Sequence, residues 1–329
     1  MQNSGGSITN AEDFSVEQSV DVTGCSATPY PSGVAIDPQQ NIAAVTLNGC
    51  NSVALINLAN GTGRTVAVGN NPIGVAVLPS LHLAVVANNG DGTASVVDEL
   101  GGSVKNTIST GAGSQGVAAD QDTQEVAVAN SVANTVTVLN VNTGATNSIA
   151  TGQRPVAVGF NYQDHQVGIA TTGSNSFGVA DGAATATQAS FTVNQPTSVV
   201  YDPVPDDCGA NNTYGCFIVN GSATNSVDVI DPISQQTASF ALGINPTAIA
   251  YNYLTSTLVS TNTSSHTITV ADFLGKKPRA VLTLPPGPVN SNLSLVGSLQ
   301  FALDIHPLTN LVVIADTANG RVLFVPVPY

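Results

Sequence analysis

The sequence predicts an all-β protein, a seven-bladed β-propeller with four-stranded blades, in which the N-terminal strand closes the ring by completing the last blade. Three observations predict this fold. Similar apolar segments recur at steps of 41, 42, 39, 43, 50 and 52 residues, each repeat holds four of them, and only 9% of the residues are charged. Four short strands in about 42 residues are typical of a propeller blade. Typical soluble domains have about 25% charged residues, and long helices exposed to solvent need such residues on their outer faces, so the low charged fraction argues against them.

The first strand of each blade is an apolar pentad, and a second and a third strand follow it. Short runs of Val, Ile, Ala and Thr fit a sheet that is covered on both faces, and they lack the 3.6-residue period of a helix. Second strands include LAVVANN and EVAVANS, and third strands include NSVALIN and NTVTVLN. The pentads are GVAID at 33, GVAVL at 74, GVAAD at 116, PVAVG at 155, SVVYD at 198, AIAYN at 248 and QFALD at 300.

The fourth strand of the last blade is missing from its expected place. Segments such as RTVAVG and TASFALG complete six blades, but the chain ends at RVLFVPVPY within the seventh. Residues 14–24, FSVEQSVDVTG, precede the first pentad as fourth strands precede the others. We therefore expect residues 14–24 to form the outer strand of the seventh blade, which removes two free sheet edges. Residues 1–13 are then an N-terminal tail, and residues 14–329 are a single propeller domain.

The repeat also resembles a known family. The stretch AVANSVANTVTVLNVNTGATNSIATGQRPVAV, with AVVANNGDGTASVVD and FIVNGSATNSVDVID, is similar to the YVTN-type β-propeller repeat, and the resemblance covers nearly the whole chain. Such families include surface-layer and other extracytoplasmic proteins of prokaryotes, while neighbouring propeller families contain lactonases and lyases. The resemblance implies the fold and leaves the function open between these classes.

Charge and hydropathy exclude two classes of partner. The net charge of -14, from 21 acidic and 7 basic residues, repels nucleic acid and anionic lipid. No apolar run approaches the roughly 20 residues that a membrane span needs. The first residues, MQNSGGSITN, lack the basic and apolar regions of a signal peptide, as expected if a leader has been removed.

The four cysteines predict two disulfides. In a propeller, the loop that enters a blade and the loop between its second and third strands emerge on one face, so Cys25 and Cys50 can meet. Cys208 and Cys216 bracket an insertion between two strands, where they can form a local clip. No CxxC spacing typical of zinc or redox sites is present. Disulfides and low charge together predict an extracytoplasmic protein: secreted, periplasmic or on the cell surface.

Asp and Asn residues recur where strands end, and we interpret them as turn caps, not as a ring of metal ligands. Their side-chain oxygens can accept hydrogen bonds from backbone N–H groups of the following turn. We accordingly predict no metal site and no cofactor. The residues follow first strands (Asp37, Asp120, Asp202, Asp304) and third strands (Asn57, Asn140, Asp181, Asp231, Asp272).

Candidate catalytic groups are scarce. No Glu follows Glu125, no GxSxG motif occurs, and His82, His165 and His306 fall between first and second strands, on what we call the lower face. We therefore assign no catalytic residue and favour a binding or scaffolding protein. The alternative is a lactonase- or lyase-like enzyme that acts on a small molecule at the channel mouth. Polar loop residues on the opposite, upper face would supply its site: Asp91, Asn130, Asn175, Asn262, Asp316 and Asn319.

Two long loops predict where a partner binds. Most connections between blades are short, but VTGCSATPYPSG before the first blade and LPPGPVNSNLSLVGSLQ before the seventh are not. These loops rise side by side on the upper face once the ring closes, and long ordered loops often carry function. We predict that they contact a protein partner, a neighbouring copy of the chain or a small molecule. On the lower face, Lys276, Lys277 and Arg279 are a second possible docking point for an acidic surface. The predicted upper-face contacts are Tyr30, Asn290, Asn292, Leu293, Leu295 and Asp316.

Replacing residues 286–297 with a short Gly-containing turn tests the upper-face prediction. We expect the variant to fold, because the loop lies outside the repeat, and to lose any partner binding or assembly that this surface carries, as measured by sedimentation velocity. Binding or assembly equal to that of the native chain would place the contact surface elsewhere.

Overall fold

The computed structural model describes residues 18–21, 25, 29–208, 214–235, 237–265, 267–284 and 301–327. Within these ranges, 28 strands form seven antiparallel sheets of four strands each. The predicted all-β, seven-bladed architecture is confirmed. In six sheets the strands follow one another in chain order, so the first strand borders the channel and the fourth lies outside. No helix in the described ranges is long and apolar enough to cross a membrane.

The first four blades use sixteen consecutive strands. Blade 1 contains β2 (Pro31–Asp37), β3 (Ile42–Leu47), β4 (Ser52–Asn57) and β5 (Gly63–Ala67). Blade 2 contains β6 (Pro72–Leu78), β7 (Leu83–Asn88), β8 (Thr93–Asp98) and β9 (Ser103–Ser109). Blade 3 contains β10 (Ser114–Asp120), β11 (Glu125–Asn130), β12 (Thr135–Asn140) and β13 (Thr146–Ala150). Blade 4 contains β14 (Pro155–Asn161), β15 (Gln166–Thr171), β16 (Ser176–Asp181) and β17 (Ala189–Thr192).

The remaining blades include the strand from the start of the chain. Blade 5 contains β18 (Pro196–Asp202), β19 (Cys216–Gly221), β20 (Ser226–Ile230) and β21 (Thr237–Ala241). Blade 6 contains β22 (Pro246–Asn252), β23 (Thr257–Asn262), β24 (Thr267–Asp272) and β25 (Lys277–Thr283). Blade 7 contains β26 (Phe301–Ile305), β27 (Leu311–Asp316), β28 (Arg321–Pro326) and β1 (Gln18–Asp21).

First strands approach one another closely around the channel. A Cβ atom at Gly33 would overlap the carbonyl oxygen of Ile73 in blade 2, and one at Gly74 would overlap that of Gln115 in blade 3. Only glycine fits such backbone contacts. Each of the first six blades also has a register shift near the start of its first strand, as between Pro31 and Val34. Such bulges bend a strand locally.

The core lies between blades. Seven apolar clusters occupy the described residues, and each joins the facing sides of two neighbouring blades. Between blades 1 and 2, for example, Val53 and Leu55 pack with Val75 and Val86. Burying such a side chain contributes about 1.5–3 kcal/mol. Because both faces of each sheet are covered, the strands read as continuous apolar runs without alternation.

Both predicted disulfides are present. Cys25 is bonded to Cys50 and Cys208 to Cys216, with Cα–Cα distances of 5.7 and 5.6 Å. The first ties the entry to blade 1 to the turn after β3, and the second encloses an insertion between β18 and β19. These cross-links restrict the unfolded chain and thereby stabilise the fold.

The N-terminal strand β1 pairs antiparallel with β28, with Ser19 opposite Leu323 and Asp21 opposite Arg321. This register gives β1 the outer position in blade 7. Blade 7 also contacts blade 1 through an apolar cluster that includes Ile36, Val313 and Phe324. We predict that β1 stabilises the closed ring, and truncation of the N-terminus tests this prediction.

Deleting residues 1–24 should lower the melting temperature, because β28 then presents an unpaired edge. The loss of several ladder hydrogen bonds at about 1 kcal/mol each corresponds to a fall of roughly 5–10 °C for a domain of this size. Deleting residues 1–13 is the control and should change little. Equal melting temperatures for both truncations, measured by calorimetry, would rule out closure by β1.

Candidate functional site

The predicted upper-face surface is only partly within the described residues. Tyr30 is half-buried at the entry to blade 1, and its carbonyl oxygen accepts a hydrogen bond from the Asn48 N–H at 3.0 Å. The turn after β27 lies beside it, because the Thr317 hydroxyl donates to the Pro31 carbonyl. The structure therefore brings these two upper-face segments together. The other predicted contacts fall outside the described residues: Asn290, Asn292, Leu293 and Leu295.

Asp316, the sixth predicted contact residue, is 1% exposed. One carboxylate oxygen, Oδ2, accepts hydrogen bonds from Arg321 Nε at 2.9 Å and Asn319 Nδ2 at 2.6 Å. The carboxylate therefore points into its own turn and is not exposed for contact with a partner. Sequence reasoning placed it correctly in the chain, but it could not show which way the side chain points.

The polar residues considered for a small-molecule site hold the upper turns together. Asn130 Nδ2 donates to the hydroxyls of Thr135 and Thr137, at 3.1 and 2.9 Å. Asn262 makes the same two bonds in blade 6, to Thr267 and Thr269. Such repetition in different blades is typical of a structural role, since a binding site is specific to one place. Two more of the six have partners in neighbouring turns: Asp91 accepts from the Asn70 backbone and side chain, and Asn175 accepts from the Gln195 N–H.

A central channel of about 350 Å³ is lined by all seven first strands. Its walls are mainly Gly, Ala and Val, because the close approach of the strands admits little else. Asp304 is its one carboxylate among the described residues. The Asp304 carboxylate accepts hydrogen bonds from the N–H groups of Ile36 and Ile305, both at 2.8 Å. Burial raises its pKa to about 6, while these two hydrogen bonds lower it.

Asp304 corrects the predicted alignment of the last repeat. The prediction placed it at the end of a first strand as a turn cap, but β26 ends at Ile305 and His306 follows as the cap. His306 Nδ1 accepts from the Leu308 N–H at 3.2 Å, as Asp37 Oδ1 accepts from Gln39 at 2.7 Å. The pentad is therefore displaced by two residues. The cap interpretation itself is confirmed at Asp120, whose Oδ1 accepts from Asp122 and Thr123.

A buried pair of carboxyl groups lies between blades 1 and 2 on the lower face. Asp37 is 0% and Glu99 1% exposed, and three of their oxygens have no hydrogen-bond donor among the described residues. Two ionised carboxylates cannot donate to each other, so the pair requires a proton. Burial and the neighbouring Asp37 carboxylate raise the pKa of Glu99 to about 8. Sequence reasoning missed Glu99, although the corresponding residues of four other blades have large apolar side chains: Leu58, Val141, Phe273 and Val327.

A groove of about 550 Å³ opens on the lower face between blades 3 and 4. We call it the acidic groove and define it by Glu125, His165, Asp181 and Gly182. His165 Nδ1 lies 2.7 Å from Asp120 Oδ2, and this hydrogen bond raises the pKa of the imidazole. Desolvation and the carboxylates of Asp120 and Asp181 raise the pKa of Glu125. The groove therefore carries an excess of negative charge.

Exposed apolar side chains concentrate on the lower face of blades 5, 6 and 7. Of eleven large apolar residues that are exposed in the described ranges, six lie in the lower turns of these blades. The turns are contiguous, since Asn252 Nδ2 donates to the Pro307 carbonyl and Tyr251 donates to Asp207 of the neighbouring turns. We call this surface the apolar patch: Tyr214, Ile233, Tyr253, Leu254, Leu274 and Leu308.

The group of Asp202, Cys208 and Cys216 has its potential ligand atoms within 4.8 Å of one another. Both sulfurs are bonded to each other in the disulfide, whereas a cysteine binds a metal ion as a thiolate. Burial raises the pKa of Asp202 to about 6. The group is therefore a buried structural cluster.

Comparisons with known proteins identify the fold. No protein-family model matches the sequence, and no curated protein is significantly similar to it. A solved structure of hydrazine synthase from Kuenenia stuttgartiensis superposes with a TM-score of 0.74, over 93% of this chain and 98% of that chain. Sequence identity is 18%, so this similarity shows the propeller fold alone.

The carboxyl pair predicts a pH-dependent stability. Because its pKa is raised in the fold from 4.5 to about 8, Glu99 stabilises the protein fully below pH 4.5 and loses that contribution as the pH rises through about 8. Glu99→Gln keeps a donor for Asp37 at every pH. Above pH 8 this variant should be more stable than the native protein by a few kcal/mol, in urea unfolding.

An exposed carboxylate supplies the control for that comparison. Asp122→Asn should follow the native pH profile, because Asp122 lies in a solvated turn. A constant difference between Glu99→Gln and the native protein from pH 4 to 9 would show that the pair does not share a proton.

Proposed function

We propose that this protein is an extracytoplasmic scaffolding propeller that assembles through protein–protein contacts on its lower face. The apolar patch is the observation that carries the proposal. Leu254, Leu274 and Leu308 are 54%, 57% and 66% exposed, in adjacent turns of a protein whose other described apolar side chains are mostly buried. A contiguous apolar surface of this kind marks an interaction site more often than scattered exposed residues do.

The setting of the patch also fits a protein interface. The aromatic rings of Tyr214 and Tyr253 accompany the leucines, and Tyr is enriched in interface cores. The basic side chain of Lys276 lies in the same turn as Leu274, and that of Lys277 begins the strand that follows, at the edge of the patch. An apolar centre with a charged rim is the usual anatomy of a protein contact.

The proposal includes an extracytoplasmic location and a relationship to the YVTN-type repeat proteins. Two disulfides are compatible with an oxidising compartment, where such bonds persist. The repeat resembles the YVTN type, whose members include surface-layer proteins, and a scaffolding role agrees with that resemblance.

The alternative is an enzyme that acts on a small molecule at the channel mouth, and Asp304 is the observation that favours it. A carboxyl group with a pKa of about 6 inside a channel is a candidate general base. However, its Oδ2 accepts the Ile36 N–H and thereby joins blade 7 to blade 1. This structural use of the carboxylate favours the scaffold.

Sedimentation velocity over a wide range of protein concentration tests the proposal. The native chain should self-associate, and Leu254→Asp/Leu274→Asp should weaken association by at least about tenfold, because two charges enter an apolar contact. Val132→Asp is the matched control, since Val132 is 71% exposed on the upper face. A native chain that is monomeric at every concentration, or association that the double variant leaves unchanged, would contradict the proposal.

A further inference from the structure

We propose that the assembly partner is a second copy of this chain, and that the basic turn of blade 6 in each copy occupies the acidic groove between blades 3 and 4 of the other. The basic turn is the segment of Lys276, the last residue before β25, with Lys277 and Arg279 at the start of β25. This inference rests on the proposed function and adds the partner and the second surface.

The groove exists because one blade lacks a side chain at a repeated position. The residue after the third strand is Leu58 in blade 1, Val141 in blade 3 and Phe273 in blade 6, but Gly182 in blade 4. A Cβ atom at Gly182 would point toward Glu125 Oε2, 3.5 Å away, and Val138. The space that an apolar side chain fills in other blades is therefore open here, with a carboxylate along it.

The groove is acidic, and neither Lys nor Arg is among the residues that line it. The carboxylates of Glu125 and Asp181 line it, and those of Asp120 and Asp122 act on His165, which Asp120 engages in a hydrogen bond. The seven Lys and Arg residues of the chain all lie in other turns and strands. Desolvation and the neighbouring carboxylates both raise the pKa of Glu125, and a bound ammonium group would offset the repulsion between these carboxylates.

The basic turn has the complementary properties. Lys276 and Lys277 are exposed, and within the described ranges neither ammonium group is within ion-pair distance of a carboxylate. Arg279 lies 3.5 Å from Asp272, which fixes the base of the turn. Because the chain carries a net charge of -14, two copies repel each other unless positive side chains meet negative ones locally.

The positions of the two surfaces allow the contact to form twice. The basic turn and the Asp181 and Gly182 side of the groove both lie where a third strand leads into a fourth, so both surfaces are on the lower face. When two copies face each other with their lower faces, a two-fold axis can place the basic turn of each copy in the acidic groove of the other. The two contacts are then equivalent, and the dimer is closed. Because the basic turn adjoins the apolar patch, the same arrangement places the patch against the lower turns that flank the groove of the other copy.

A charge-swap experiment tests this arrangement. Variant A is Lys276→Glu/Lys277→Glu, and variant B is Glu125→Lys. Each variant alone places like charges together at both contacts, so its dimer dissociation constant should rise by roughly tenfold or more. An equimolar mixture of A and B pairs an acidic turn with a basic groove and a native turn with a native groove. The mixture should therefore dimerise in sedimentation velocity.

Controls separate this inference from the proposed function. Lys105→Glu/Arg154→Glu changes charge equally at other places and should dimerise as the native chain does. If A and B alone dimerise normally, or if their mixture stays monomeric, the inference is wrong, although loss of association in Leu254→Asp/Leu274→Asp would still support assembly through the patch. A monomeric native chain overturns both. Should Glu125→Lys lower the melting temperature, Asp181→Lys replaces it as variant B, with the same two outcomes.

Discussion

The close approach of first strands around the channel is the constraint on which the rest of the structure depends. Gly33 and Gly74 let each strand meet the backbone of the next blade, and small aliphatic residues then fill the space between neighbouring sheets. Polar residues such as Asn130 and Asn262 fix the turns at the upper end. Because these features recur in several blades, the repeat itself carries little information about function.

Function is better sought where one blade departs from the others. Glu99 introduces a carboxylate where blades 1, 3, 6 and 7 have an apolar side chain, and Gly182 lacks a side chain at the same position of blade 4, where a groove opens. Asp304 places a carboxylate in a channel of Gly, Ala and Val. Two of these departures lie toward the lower face, where the exposed apolar side chains of blades 5 to 7 also concentrate. A repeat protein can acquire a specific surface in this way without changing its core.

The sequence predicts the blades, the strand order and both disulfides, because periodicity and loop topology determine them. It misplaces Asp304 by two residues, since such a shift keeps the same side chains on each face of a strand and leaves the apolar pattern intact. It does not reveal the pairing of Glu99 with Asp37, because contacts between blades join residues far apart in the chain. Nor does it separate Leu254 from core leucines, since exposure of a turn residue depends on how neighbouring turns pack.

Amide hydrogen exchange at low and high protein concentration tests the central claim, assembly through the lower face, most directly. The account predicts that slower exchange at high concentration is confined to the turns that carry Leu254, Leu274 and Lys277 and to the groove around Glu125. The upper turns, such as that of Val132, should exchange equally at both concentrations. Protection confined to Tyr30 and residues 285–300, or exchange that does not depend on concentration anywhere, would contradict it.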